Sequence, residues 1–192
     1  MGESTKERAR AAELPDGDVI GVLLKQHARI RELMQEVKTT SGEHKKHAFD
    51  ELRALLAVHE TGEEMVLRPV SKKTAGTEVA DARNHEEDEA NHVLVGLEKM
   101  DTSTADFDEK FASFESSVLE HAEKEETKEF PSVLAERSEE ERQKMGARLL
   151  RAEKLAPTHP HPGAAGSPAK QWSVGPFAGI VDKVRDAVGR KG

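Results

Sequence analysis

His59 and Glu63 lie four positions apart in the stretch LLAVHETGE (residues 55–63), and His121 and Glu125 repeat the spacing 62 positions later. On a helix, residues four apart share a face, with Cβ atoms roughly 5–6 Å apart. Phe49, Leu52, Leu55 and Leu56 lead into the first pair and Val66 and Leu67 follow it; Phe111, Phe114 and Val118 lead into the second. That apolar register turns both pairs toward a core, where an imidazole and a carboxylate are costly unless something satisfies them. A metal ion would do so, and so would buried His–Glu hydrogen bonds holding helices in register. One HxxxE is expected by chance in a chain rich in both residues; two in core register on separate helices favour the metal.

Other donors fall on the same kind of face. His27 sits within the stripe Val19, Ile20, Leu23, Leu24, Ile30, Leu33, Met34 and Val37. Further on, Val79, Ala82 or Arg83, Ala90, Val93, Leu94 and Leu97 recur at helical spacing. At about 100° per residue, Glu86 lies in the middle of that stripe and Glu87 at its edge, while His85 and His92 point away. Imidazole mixed with carboxylate suits iron, manganese or zinc better than magnesium or calcium, which prefer oxygen shells. A glutamate four residues from a histidine can bridge two ions while the histidine binds one. Two such pairs facing each other therefore suggest a dinuclear site, with bridging glutamates and capping histidines.

Helices must position these residues. Residues 1–17 read as a charged, mobile lead-in, with Asp16 or Asp18 available to cap the first helix. The first stripe runs to the turn-like TTSG at 39–42; a second helix spans about 43–68 and is closed by Pro69. A third spans about 77–100, and a fourth runs from Phe107 to Phe130–Pro131, where it should stop or kink. Four helices with short links predict an up-down-up-down antiparallel four-helix bundle over 18–135. Period-2 alternation is absent, so the fold class is all-α. Ser138 and Glu141 form a capping-box pattern that opens an additional helix over 138–156. A Pro/Gly-rich linker follows at 157–174, its HPHP run included, and then a short amphipathic helix at 175–192 carrying Phe177, Ile180, Val181, Val184 and Val188. That last helix could dock on the bundle or recruit a protein partner.

Composition narrows the function. The 192 residues carry no cysteine, which removes disulfides, thiolate metal ligands and cysteine nucleophiles and is compatible with a cytoplasmic location. A net charge of −8 argues against nucleic acid as a partner. No apolar run reaches the roughly 18 residues of a membrane span, and the polar N-terminus has no secretory pattern. Tyrosine is absent and the single tryptophan, Trp172, lies in the tail. No protein nucleophile or general base stands out, so any catalysis would be carried by metal.

The order His27, then HETGEE (residues 59–64), then HAEKEE (residues 121–126) followed by Phe130–Pro131 resembles the hemerythrin and HHE cation-binding domain family over about residues 18–135. The resemblance implies a four-helix bundle around a non-haem di-iron centre, two iron ions with an oxo bridge in the ferric state. It also implies a protein that binds or reacts with O2, peroxide or nitric oxide, as a sensor or in redox detoxification under stress. Iron handling without catalysis, or a metal that merely staples an interaction protein, is the alternative. Matching positions make His27, His59, Glu63, His121 and Glu125 the expected ligands. The third helix departs from the family pattern: where the family places histidine, this chain has Glu87, preceded by Glu86, and Glu87 is the expected sixth ligand. A carboxylate there adds negative charge, which favours the oxidised metal and disfavours reversible O2 carriage.

Overall fold

The computed structural model describes residues 2–156, 158 and 159. Four long helical rods form the bundle. The first is α2 (Val19–Thr39), which begins after α1 (Glu3–Ala12). The second joins α3 (Gly42–Gly62) to α4 (Arg68–Thr74) through a π-helical turn at Glu63–Leu67. The third is α5 (Thr77–Leu97). The fourth joins α6 (Ala105–Lys124) to α7 (Phe130–Glu136) through a second π turn at Glu125–Glu129, and α8 (Glu139–Leu155) follows. No strand occurs among the described residues, and none of their helices is long and apolar enough to cross a membrane.

Local chemistry explains the boundaries. The Asp18 side chain accepts the Ile20 N–H at 2.9 Å and caps α2. Thr104 does the same for α6 through Phe107, and Ser138 with Glu141 closes the expected capping box of α8. Pro69 does not end the second rod, contrary to expectation. Wide π turns, marked by Arg68 N–H bonding to Glu63 O and Phe130 N–H to Glu125 O, carry both rods onward. Pro69 and Pro131 then fall in the first turn of the following segment, where a missing N–H is tolerated.

The lead-in is also corrected: residues 3–12 are helical and packed on α2. Ion pairs hold this helix where an apolar stripe is lacking. Glu7, buried, accepts from Arg31 at 2.6 Å; Arg8 and Arg10 reach Glu32 and Glu126. α8 lies across α2, α3 and the first π turn. Two glycines permit that approach. A Cβ at Gly62 would meet Leu149 Cδ1 at 2.9 Å, and one at Gly146 would overlap the Gly17 carbonyl oxygen. The linker and the short helix expected at the C-terminus lie outside the described residues, apart from residues 158 and 159.

The apolar interior is divided. One cluster gathers Ile20, Leu23, Leu24, Leu67, Phe130 and Leu149; the other gathers Leu33, Leu52, Leu94, Phe107 and Phe111 with their neighbours. Between them lies a layer of buried polar side chains.

Candidate metal centre

Each rod delivers donors to that layer. His27 comes from α2, His59 from the last turn of α3, Glu63 from the first π turn, Glu87 from α5, His121 from the last turn of α6, and Glu125 from the second π turn. The structure brings all six together as two overlapping groups. His27, His59, Glu63 and Glu125 offer ligand atoms within 4.8 Å of one another, and so do Glu63, Glu87, His121 and Glu125. Glu63 and Glu125 belong to both groups, and both are fully buried.

Every histidine is aimed by a neighbour on a different rod. His59 Nδ1 lies 2.8 Å from Gln26 Oε1, His27 Nδ1 3.0 Å from Glu126 Oε1, and His121 Nδ1 3.0 Å from Glu86 Oε2. With Nδ1 donating outward, each Nε2 faces the cluster: His27 toward Glu125 at 3.5 Å, His59 toward Glu63 at 3.5 Å, His121 toward Glu125 at 3.2 Å and Glu87 at 3.7 Å. Such outward bonds hold a metal-binding imidazole in one orientation and tautomer.

The electrostatics favour a cation. Burial, reinforced by repulsion from His27, holds His59 down to about 3, so its imidazole is neutral. Burial lifts Glu87 to about 7 in spite of Arg68, and burial plus the charge of Glu125 lifts Glu63 well above the ordinary range. Burial opposes the charged forms of Glu125 and His121 as well, but their mutual attraction prevails: Glu125 is lowered and His121 raised. Burial also resists ionisation of Glu86, yet hydrogen bonds from His121 and Lys124 pull it down to about 2. Several inward atoms are buried without a hydrogen-bond partner: His27 Nε2, both oxygens of Glu63, Glu87 Oε2 and Glu125 Oε2. Orphaned atoms of this kind are rare in folded proteins, and here they belong to one donor set of the kind iron or zinc takes. The residues fit a bound metal.

A cavity of about 790 Å³ reaches this layer from the surface between the rods. Ile30, Leu56, Val93, Phe114 and Val118 line it beside His27, His59 and His121.

The sequence profile of the hemerythrin HHE cation binding domain matches residues 18–133, more than half of the chain. The chain belongs to the hemerythrin HHE cation-binding family. An uncharacterised hemerythrin-like protein of Schizosaccharomyces pombe is 32% identical over 134 residues, covering 68% of this chain and 66% of the relative's length. The chain thus spans just under two thirds of that relative. A crystal structure of a hemerythrin HHE cation binding domain-containing protein from Mycobacterium kansasii superposes with a TM-score of 0.62 at 21% identity, over 69% of this chain and 82% of the other. That likeness concerns the fold. Family membership and the buried His/Glu cluster together make this a metal-binding HHE domain.

Within this HHE domain the stripe expected on the third rod is rotated. Ala80, Arg83, Glu87, Asn91, Leu94 and Leu97 are buried, Val93 is 44% exposed, and Glu86 lies at the rim rather than in the middle. His85 and His92 are exposed, as their helical positions require. Sequence reasoning missed several residues of the layer. Gln26 and Glu126, which aim His59 and His27, each adjoin an expected donor in the chain, and a polar residue doubled beside a core donor is the available signal; Glu86 was expected on the core face and instead aims His121 from the rim. Arg68 and its partners Glu129 and Ser71 had no such mark, because they lie within or just beyond the π turns that the proline pattern disguised.

Proposed function

We propose that the chain holds two iron ions and binds or reacts with O2, peroxide or nitric oxide, in a sensing or detoxifying role. The observation that carries this reading is the overlap of two four-donor groups through Glu63 and Glu125, which suits two ions sharing bridging carboxylates. His27 and His59 would complete one position, His121 and Glu87 the other. Iron bound there would supply an open coordination position and a one-electron redox change. The chain's own residues do the rest. Gln26, Glu126 and Glu86 keep each imidazole in its donor orientation. Ile30, Leu56, Phe114 and Val118 give the cavity an apolar wall along which a small ligand would approach. Glu87, a carboxylate in place of an imidazole, adds negative charge that Arg68 against its Oε1 offsets only in part, and so favours the higher oxidation state. Oxidative or peroxide chemistry, or metal handling, therefore suits this centre better than reversible O2 carriage.

Metal content and the visible spectrum of protein purified in air test this directly. Two irons per chain with the near-ultraviolet and visible bands of an oxo-bridged ferric pair are expected, followed by consumption of added peroxide. Two irons without peroxide or NO reactivity would support the iron-handling alternative. One zinc or no metal in a folded helical protein would overturn the di-iron reading. Fully reversible O2 binding by the reduced protein would overturn the argument from Glu87.

A further inference from the structure

Arg68 is buried at the centre of this layer, with only 2% of its surface exposed, and among the described residues it is the one guanidinium in the ion pairs of the two donor groups. Its Nη1 donates to both oxygens of Glu129 at 2.8 Å, and Ser71 Oγ also donates to Glu129. This anchors the side chain from the flank opposite the donors. Nη2 turns inward. It contacts Glu87 Oε1, lies 3.0 Å from Glu125 Oε1, and lies 3.7 Å from Glu63 Oε2.

Those oxygens are not evenly divided between the two donor groups. Glu125 Oε1 and Glu87 Oε1 are the atoms that face His121 Nε2, at 3.2 and 3.7 Å. Glu125 Oε2, by contrast, faces His27 Nε2. All three carboxylates of the His121 group lie within ion-pair reach of Arg68, whereas the His27 and His59 group meets it only through the two shared glutamates. A guanidinium cannot shed its proton in a protein, so this positive charge is permanent. In a site screened from water, a fixed charge a few ångströms away acts with far more force than it would at a surface.

We infer that Arg68 makes the two metal positions unequal. The position between His121 and Glu87 is the weaker, exchangeable one, and the position between His27 and His59 is the tight one. The inference rests on the dinuclear reading above. A second cation entering beside His121 must share lone pairs of Glu87 and Glu125 that already accept from Nη2, and must approach a positive charge that cannot leave. The first position has two imidazoles and meets Arg68 only through Glu63 Oε2, at 3.7 Å, because the Glu125 oxygen that faces His27 is the one turned away from Nη2.

Stepwise titration of the metal-free full chain with cobalt(II), followed by its visible absorption, tests this. The wild type should fill in two steps whose dissociation constants differ by about tenfold or more. His121→Ala should abolish the weaker step and His59→Ala the tighter one. Arg68→Met keeps the bulk and removes the charge, and should tighten the second step by about tenfold while moving the first much less. Arg68→Lys should retain two unequal steps. If Arg68→Met fails to fold by circular dichroism, Glu129→Gln gives the opposite sign: with less compensation, Arg68 should weaken the second step further. Equal steps in the wild type, an unchanged second step in Arg68→Met, or its loss there, would each overturn the inference. So would a Glu129→Gln second step that is unchanged or tighter. A single cobalt in both the wild type and Arg68→Met would instead overturn the dinuclear reading, and the inference with it.

Discussion

Each imidazole of the centre takes its orientation from a side chain on another rod, so geometry at the metal depends on residues that never touch it. Glu126 is the clearest case: it accepts from His27 at 3.0 Å and is itself paired with Arg10 of α1. Glu126→Ala frees the His27 ring to rotate and is expected to weaken metal binding about 10–100-fold, measured by competition with a chelator of known affinity. Glu140→Ala, an exposed change on α8, should leave that affinity alone. The candidate donors that meet in the polar layer were legible in the sequence because His and Glu recur at a helical interval inside apolar stripes. Their orienting partners were not, because the contact between Gln26 and His59, or Glu86 and His121, exists only once the rods are packed. The same limit misplaced Glu86. On α5 the buried face is held partly by Asn91, which no apolar stripe reports, and by Arg83, which the stripe offered only as an alternative to Ala82, so Val93 and Ala82 drew the axis to the wrong side.

At the level of elements, the two π turns set the angular position of the donors. Glu63 and Glu125 each open such a turn, and each lies four residues after a histidine and six before a proline. An i→i+5 turn holds one residue more than the α-helical path, so deletion of Met65 should return it to α geometry. The upstream face would then rotate by about 100° relative to Arg68 and the residues that follow. We expect that variant to keep its helical circular dichroism and to lose metal stoichiometry. A proline in an amphipathic pattern reads as a stop; only the backbone reveals that the chain had already widened before reaching it. Capping, in contrast, could be read from four letters. Ser138→Ala should cost about 1 kcal/mol of stability in urea denaturation, because one hydroxyl satisfies the Glu141 N–H and organises the reciprocal bond.

For the whole molecule, a polar layer separates two apolar clusters, and cations bound there would tie them together. Metal removal by a chelator is therefore expected to lower the thermal midpoint, with recovery on reloading, since a ligand held only by the native state stabilises it. Acid should act in the same direction as the chelator. Protons compete for the Nε2 atoms and the carboxylates, so metal release should increase as pH falls, and dialysis across a pH series would show it. The bundle architecture was legible from four apolar stripes and their short links. The α1 helix was not, because ion pairs to α2 and Glu126 hold it rather than a stripe of its own.

The donors come from positions 27, 59, 63, 87, 121 and 125, and no helical rod holds more than two of them. No fragment short of the packed bundle can chelate as the finished site does, so metal cannot template early folding in the way it does for a zinc finger. The emerging chain must bring four buried glutamates, Glu63, Glu87, Glu125 and Glu129, together using cations written into its own sequence, Arg68 foremost among them. A metal would then arrive as a maturation step on a finished scaffold, through the cavity beside Phe114 and Val118, rather than at the pace of synthesis.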